Sequence, residues 1–302
     1  MTAMTNSTTN SGFAATVGGA GRRALQWRLL LLWIVLLLIP TAMLTVPLWQ
    51  VFSDQLDHTL HAAELAQQIT VNAANDLVVA VTYNGGGLNA IGMVAAIFTV
   101  LATPFLNGMM VAAARAAEPL GFGALIQGGL AEYWRMLRLL LVSLLPLAIA
   151  MGIGQAASGA AGKYAEHAIL SSSADHMNLA AQILLGLLLV LALATADAGR
   201  AQFAISTRKR SAWKAWWRGC KLIVKRPGAT LGSYVVLTLV GVIVFAVFGW
   251  LRINVPHASL IGFVVGLVFT QLAAAALAWT RGARLFALAD IARAQEQAQA
   301  GY

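Results

Sequence analysis

Six apolar runs dominate this chain, near Trp27–Trp49, Ile91–Ala114, Met136–Ala156, Asn178–Ala196, Ala229–Leu251 and Ala258–Thr280. A helix needs roughly 20 such residues to cross the hydrocarbon core of a bilayer. Within lipid the backbone must satisfy its own hydrogen bonds, so only helices and closed barrels span it. Continuous rather than alternating apolar runs of this length select helices. Only 10% of the residues are charged, against about 25% in an ordinary soluble domain, so little sequence is left for a separate water-soluble core. The expected fold is all-α: a polytopic membrane protein with six transmembrane helices in three hairpins. The expected division is a disordered N-terminus over 1–26, a six-helix transmembrane domain over 27–284 and a short tail over 285–302.

Charge gives the sidedness. Of the 20 Lys and Arg, all but Lys163 and Arg252 fall on one side of a six-span layout. The opposite side carries Asp54, Asp57, Glu64, Asp76, Glu166 and Asp175. Positive charge next to span ends stays cytoplasmic, which predicts a multi-pass protein of a bacterial inner membrane with both termini in the cytoplasm. The apolar run after Arg22-Arg23 is too long for a cleaved signal peptide and lacks a small-residue cleavage site, so it reads as an uncleaved anchor. The single cysteine, Cys220, rules out an intramolecular disulfide or a multi-cysteine metal site.

The densest charge lies in RKRSAWKAWWRGCKLIVKRP, from Arg208 to Pro227. At helical spacing Trp213, Trp216, Trp217, Cys220, Ile223 and Val224 share one face, and Lys214, Arg218, Lys221 and Lys225 form an adjacent stripe. Tryptophan favours the bilayer interface and clustered Lys and Arg favour anionic lipid. The segment therefore predicts a cytoplasmic interfacial helix whose partners are anionic headgroups. Aromatics beside basic residues can also stack nucleic-acid bases, but the tether to two spans argues against a nucleic-acid partner. A second such helix is predicted after the second span, where Phe122, Leu125, Ile126, Gly129 and Tyr133 repeat the spacing and Trp134 adds an interfacial ring. The ends of spans two, four and six, AAARAAEPL, ADAGRAQFA and RGARLFALA, also look alike, so the three hairpins read as an internal repeat.

Within the spans polar groups are few. Asp197 and Arg200 are spaced for an ion pair at the end of span four. Asn107, one turn from Pro104, and Gln271 are candidates for lining a pathway. Gly262 and Gly266 form a small-residue surface that suits close packing, against another span or in self-association. In the first outer loop Asp57 and His61 lie one helical turn apart and are a weak metal candidate beside the simpler reading of a solvated face. No cofactor-binding motif and no catalytic constellation of GxSxG, HExxH or P-loop type is found in the sequence.

The order Asp197, Arg200, Arg210-Ser211-Ala212, Arg226-Pro227 and then a fifth span resembles a segment of uncharacterised bacterial six-span membrane proteins. These are similar in layout to the membrane domain fused to some glycerophosphodiester phosphodiesterases. The resemblance covers roughly Ala196 to Ala289. It implies the six-span layout and transfers no activity, since no phosphodiesterase domain is present. The functional expectation is a non-enzymatic scaffold or subunit of an envelope-associated complex, contacting anionic lipid and possessing a membrane-protein partner. The alternative is a permease or lipid-handling transporter for a neutral or lipid-like substrate.

Overall fold

The computed structural model describes residues 3–56, 71–167, 171–206, 211–255 and 260–300. Among these the chain is helical, with no strand: α1 (Ala3–Ala24), α2 (Trp27–Leu56), α3 (Val71–Tyr83), α4 (Gly85–Arg115), α5 (Phe122–His167), α6 (Ser171–Ile205), α7 (Ala212–Lys225), α8 (Pro227–Ile253) and α9 (Leu260–Ala300). Six of them, α2, α4, α5, α6, α8 and α9, are long and apolar enough to cross a membrane. Only 17 to 22% of each apolar window is buried within the chain. The remaining apolar surface is far more than a water-soluble monomer exposes, and a bilayer is the solvent that accepts it. The chain is an all-α polytopic membrane protein.

The sequence reading groups residues 27–284 as one domain, whereas the contacts divide the chain into two compact units. One comprises Met1–Ala24, Asn107–Leu237 and Gly282–Tyr302; the other comprises Leu25–Leu106 and Thr238–Arg281. In the second unit α2 packs on α3, and Gly92 of α4 faces Leu44 of α2. The α8–α9 hairpin closes on small residues. A Cβ at Gly241 would lie 2.8 Å from the Thr280 Cβ, and one at Gly266 would lie 2.9 Å from the Arg252 guanidinium. Gly262 and Gly266 are both buried, and Gly266 packs against Arg252 of the chain's own α8. Phe248 and Phe269 stack across the same hairpin, with centroids 6.5 Å apart.

The first unit holds the arginine-bearing helix ends, and its lengths depart from expectation. Helix α5 has 46 residues, about 70 Å at 1.5 Å per residue, over twice the hydrocarbon thickness of about 30 Å. The interfacial helix predicted at Phe122–Tyr133 is therefore the first part of one continuous helix rather than a separate element. Within the tail expected over 285–302, the described residues continue α9 to Ala300, and Leu285, Phe286, Ala287, Leu288, Ala289, Ile291 and Ala292 are all buried. Of the stretch expected to be disordered over 1–26, Ala3–Ala24 forms α1. Its Ser, Thr and Gly content gives weak helix propensity, but tertiary contacts hold its second half. Ala20 and Ala24 are buried, the Phe13 ring lies against Gly232, and Arg23 pairs with Asp290.

With α1 in place, the repeat gains a regular form. A helix precedes each hairpin: α1, the start of α5, and α7. Each ends near a basic residue, Arg23, Arg135 or Arg226, before its span begins. Pro40, Pro47, Pro104 and Pro146 all lie inside continuous helices.

Candidate functional site

Helix α7 is the most strongly amphipathic element, and its ends are well defined. The Ser211 hydroxyl accepts from the Lys214 N–H at its start, a capping arrangement that satisfies one orphan donor. At its end the Arg226 N–H donates to Leu222 O at 3.0 Å. Pro227 then starts α8, where its missing N–H costs nothing.

The sequence reading gives α7 one apolar and one basic face, but the structure gives it three. The face turned into the protein is Ala212, Ala215, Gly219, Leu222 and Ile223. The contact is intimate because the residues are small. A Cβ on Gly219 would lie 2.6 Å from Gly199 N, and one on Gly199 would lie 3.2 Å from the Trp216 Cα. The tryptophans are not the docking face: Trp213 and Trp217 are 51% and 52% exposed, and Val224 is 79% exposed. Trp216 is half-buried, and its Nε1–H donates to Thr195 Oγ1 at 3.2 Å. It links the exposed rings to α6, with centroids 5.1 Å from Trp213 and 6.3 Å from Trp217. Ile223, read from the sequence as part of the tryptophan face, turns inward instead. Lys214, Arg218, Lys221 and Lys225 form the third face and are exposed. At 3.6 residues per turn each face occupies about a third of the circumference.

Between the tryptophan and basic faces runs a shallow groove of about 320 Å³, lined by Trp213, Lys214, Trp217, Arg218 and Lys221. An apolar floor with cationic edges matches the boundary between acyl chain and headgroup. Cys220 lies on the same helix, half-buried, and burial pushes its thiol up from the ordinary range.

The start of α5 shows a similar separation. Leu125 and Gly129 are buried, and Gly108 of α4 packs so closely on Gly129 that a Cβ there would lie 2.8 Å from its carbonyl oxygen. Phe122, Ile126, Leu130 and Trp134 form an exposed stripe. Tyr133 is half-buried, edge-on to Trp134 at 5.7 Å. The apolar face drawn through Phe122, Leu125, Ile126, Gly129 and Tyr133 is thus two faces, one docked and one free.

Beneath these helices the look-alike span ends acquire a common role. Glu132, 5% exposed, accepts from Arg115 at 2.7 Å and from Arg135 at 2.7 and 2.9 Å. The same arginines donate to carbonyls at the end of α6 and just past it: Arg115 to Phe203 O at 2.7 Å and Arg135 to Ser206 O at 3.3 Å. Carbonyls there have no partner within the helix, and a cation there also complements the helix dipole. Arg135 lies over the Phe203 ring, 4.6 Å from its centroid.

The structure also brings Asp197 and Arg200 together, as their spacing suggests, and adds a second arginine. Arg284 Nε of α9 lies 3.5 Å from Asp197, and its guanidinium donates to the buried Tyr234 hydroxyl at 3.0 Å. Asp290 is held by Arg23 and Arg293. The three span-end arginines Arg115, Arg200 and Arg284 therefore all meet a carboxylate. Sequence reasoning named only the Asp197–Arg200 pair, because Glu132 reaches Arg115, and Asp197 reaches Arg284, from another helix.

Asn107, 6% exposed, lies in the first unit, whereas the fully buried Pro104 and the half-buried Gln271 lie in the second. Asp57 and His61 lie outside the described residues. Among the described residues no group of three or more His, Cys, Asp or Glu is placed to hold a metal. Comparison of the chain with protein-family models, curated proteins and solved structures returns no match. The functional reading rests on the residues themselves.

Proposed function

We propose that this chain is a non-enzymatic scaffold or subunit of an envelope-associated complex in a bacterial inner membrane, with both termini in the cytoplasm. In this reading α7 lies on the cytoplasmic leaflet, its rings at the acyl boundary and its basic stripe on anionic headgroups. The observation that carries the reading is the outward exposure of Trp213 and Trp217 on a helix already docked through Ala215 and Gly219. A tryptophan face that is not needed for folding is available for lipid. The stripe Phe122, Ile126, Leu130 and Trp134 supplies a second free apolar surface for lipid or a membrane-protein partner.

Replacing Lys214, Arg218, Lys221 and Lys225 together with Gln tests the lipid contact. At about 1 kcal/mol per basic residue near an anionic surface, the ceiling is roughly a thousandfold loss at low salt. Screening reduces it at physiological ionic strength. Phosphatidylglycerol retained by the purified full-length protein should fall, and the difference should shrink as salt rises. Equal retention by both proteins at low salt would remove the basis of the reading.

A further inference from the structure

The basic stripe of α7 does not face lipid alone. Arg218, Lys221 and Lys225 line one wall of a cleft of about 370 Å³. Gln202 of α6 and Gln295 and Gln299 of α9 line the rest, with Glu296 the single carboxylate. Its floor is the apolar contact of Leu222 with Ile291 and Ala292. This floor fixes the spacing between the cations and the amides, so the cleft is built by packed helices and not by a loose surface. A second opening, between Lys225, Arg226, Gln295 and Gln299, continues it along α9.

Three features restrict what such a cleft accepts. Its cations outnumber its acid, which favours an anion. Lys and Arg together bind phosphate oxygens both as point charge and as fork. The amides offer paired donors and acceptors, the complement of hydroxyl groups. The volume lies at the small end of ligand pockets, which begin at roughly 300 Å³. That is larger than a bare phosphate ion requires and too small for a polymer.

We infer that the cleft between α7 and the end of α9 is a binding site for the phosphate ester of a small hydroxyl-bearing group. The phosphate sits among Arg218, Lys221 and Lys225 and the hydroxyls on Gln295 and Gln299. The inference deepens the anionic-lipid reading and rests on it for the orientation of α7. The same chemistry occurs in a phosphatidylglycerol headgroup and in a soluble glycerol phosphate.

The test uses full-length protein in nanodiscs, with Gln295→Leu, Gln299→Leu and Lys225→Gln for the cleft. Lys214→Gln serves as a control, since Lys214 lies on the basic stripe but not in the cleft. The Leu variants keep every charge, so they separate the cleft from general surface attraction. In phosphatidylcholine discs doped with phosphatidylglycerol, Gln295→Leu and Lys225→Gln should each weaken selective retention about tenfold, the effect of one lost hydrogen bond to a charged ligand. Lys214→Gln should have a smaller effect that vanishes with salt. If the source is lipid, soluble glycerol phosphate does not compete; if it is soluble, it binds in pure phosphatidylcholine discs and the same variants weaken it. Wild-type affinity for both probes in all three cleft variants, each with unchanged helicity, overturns the site. That result, with retention still lost in the fourfold Gln variant, leaves the surface reading intact. Loss in Gln295→Leu and Lys225→Gln with no effect of Lys214→Gln even at low salt would keep the site and overturn the surface reading, and normal retention in the fourfold variant, which removes the cleft's cations too, would overturn both.

Discussion

Gly219→Ala is the smallest change that tests how α7 is held. The added methyl would lie 2.6 Å from Gly199 N and 2.7 Å from Ala198 C. Both are backbone atoms of α6, so no side-chain rotation relieves the contact and α7 must move away. Overpacking of this kind costs about 1–3 kcal/mol. Replacing Gly by Ala inside a helix returns about 1 kcal/mol, leaving roughly 1 kcal/mol of net loosening, or about fivefold more local opening. Gly219→Leu cannot be accommodated so cheaply and should release the helix further. Gly228→Ala provides the control, because its Cβ would meet nothing within 4 Å. Amide hydrogen exchange of the full-length protein in nanodiscs reads the result peptide by peptide. Faster exchange should be confined to α7 and the α6 segment near Gly199, increasing from Ala to Leu and absent in Gly228→Ala. Unchanged protection across α7 in both Gly219 variants would refute docking through the small-residue face.

Two further outcomes follow from the buried charge and the thiol. Glu132→Gln leaves Arg115 and Arg135 without their shared carboxylate, and breaking a buried pair this way costs about 3–5 kcal/mol. The thermal midpoint in detergent should fall clearly, more than for a substitution at exposed Glu118, and equal midpoints would contradict the network's role. Cys220 has its thiol raised by burial, so less thiolate exists at neutral pH than for a free cysteine. Its alkylation should be slow at pH 7.5 and still rising above pH 9, whereas a rate that levels off below pH 8.5 would show the shift to have the opposite sign.

What was legible from the sequence was set by long-wavelength signals. Six spans and three hairpins follow from apolar runs that no soluble fold tolerates, and the described part of each expected run falls within one of the six long helices. The finer errors share a cause. On α7 and on the start of α5, large apolar residues mark the helix face most visible to periodicity, yet Ala215, Gly219, Gly129 and Gly108 decide which face docks. In a membrane protein, helix contacts favour small residues because lipid is as apolar as Leu, so a single apolar face drawn through the bulky residues leaves the docking face out. The same small-residue signal could have been read from the Ala212, Ala215, Gly219 spacing alone. Glu132 and Asp290 were invisible for a different reason. Each has a local arginine at i+3, Arg135 or Arg293, but the second arginine, Arg115 or Arg23, comes from another helix and no local pattern announces it. Helix α1 was missed because its order comes from contacts with Gly232 and Asp290, not from its own composition.

The central claim is that α7 presents Trp213 and Trp217 to the membrane boundary while its small residues hold it to the protein. Depth-dependent fluorescence quenching tests this directly, comparing the wild type with Trp213→Phe/Trp217→Phe so that the remaining tryptophans cancel. In nanodiscs carrying spin labels at headgroup or mid-chain depth, the difference signal should be quenched most by the shallow label and little by aqueous iodide. A difference signal quenched by iodide and insensitive to either lipid label would place both rings in water and contradict the account.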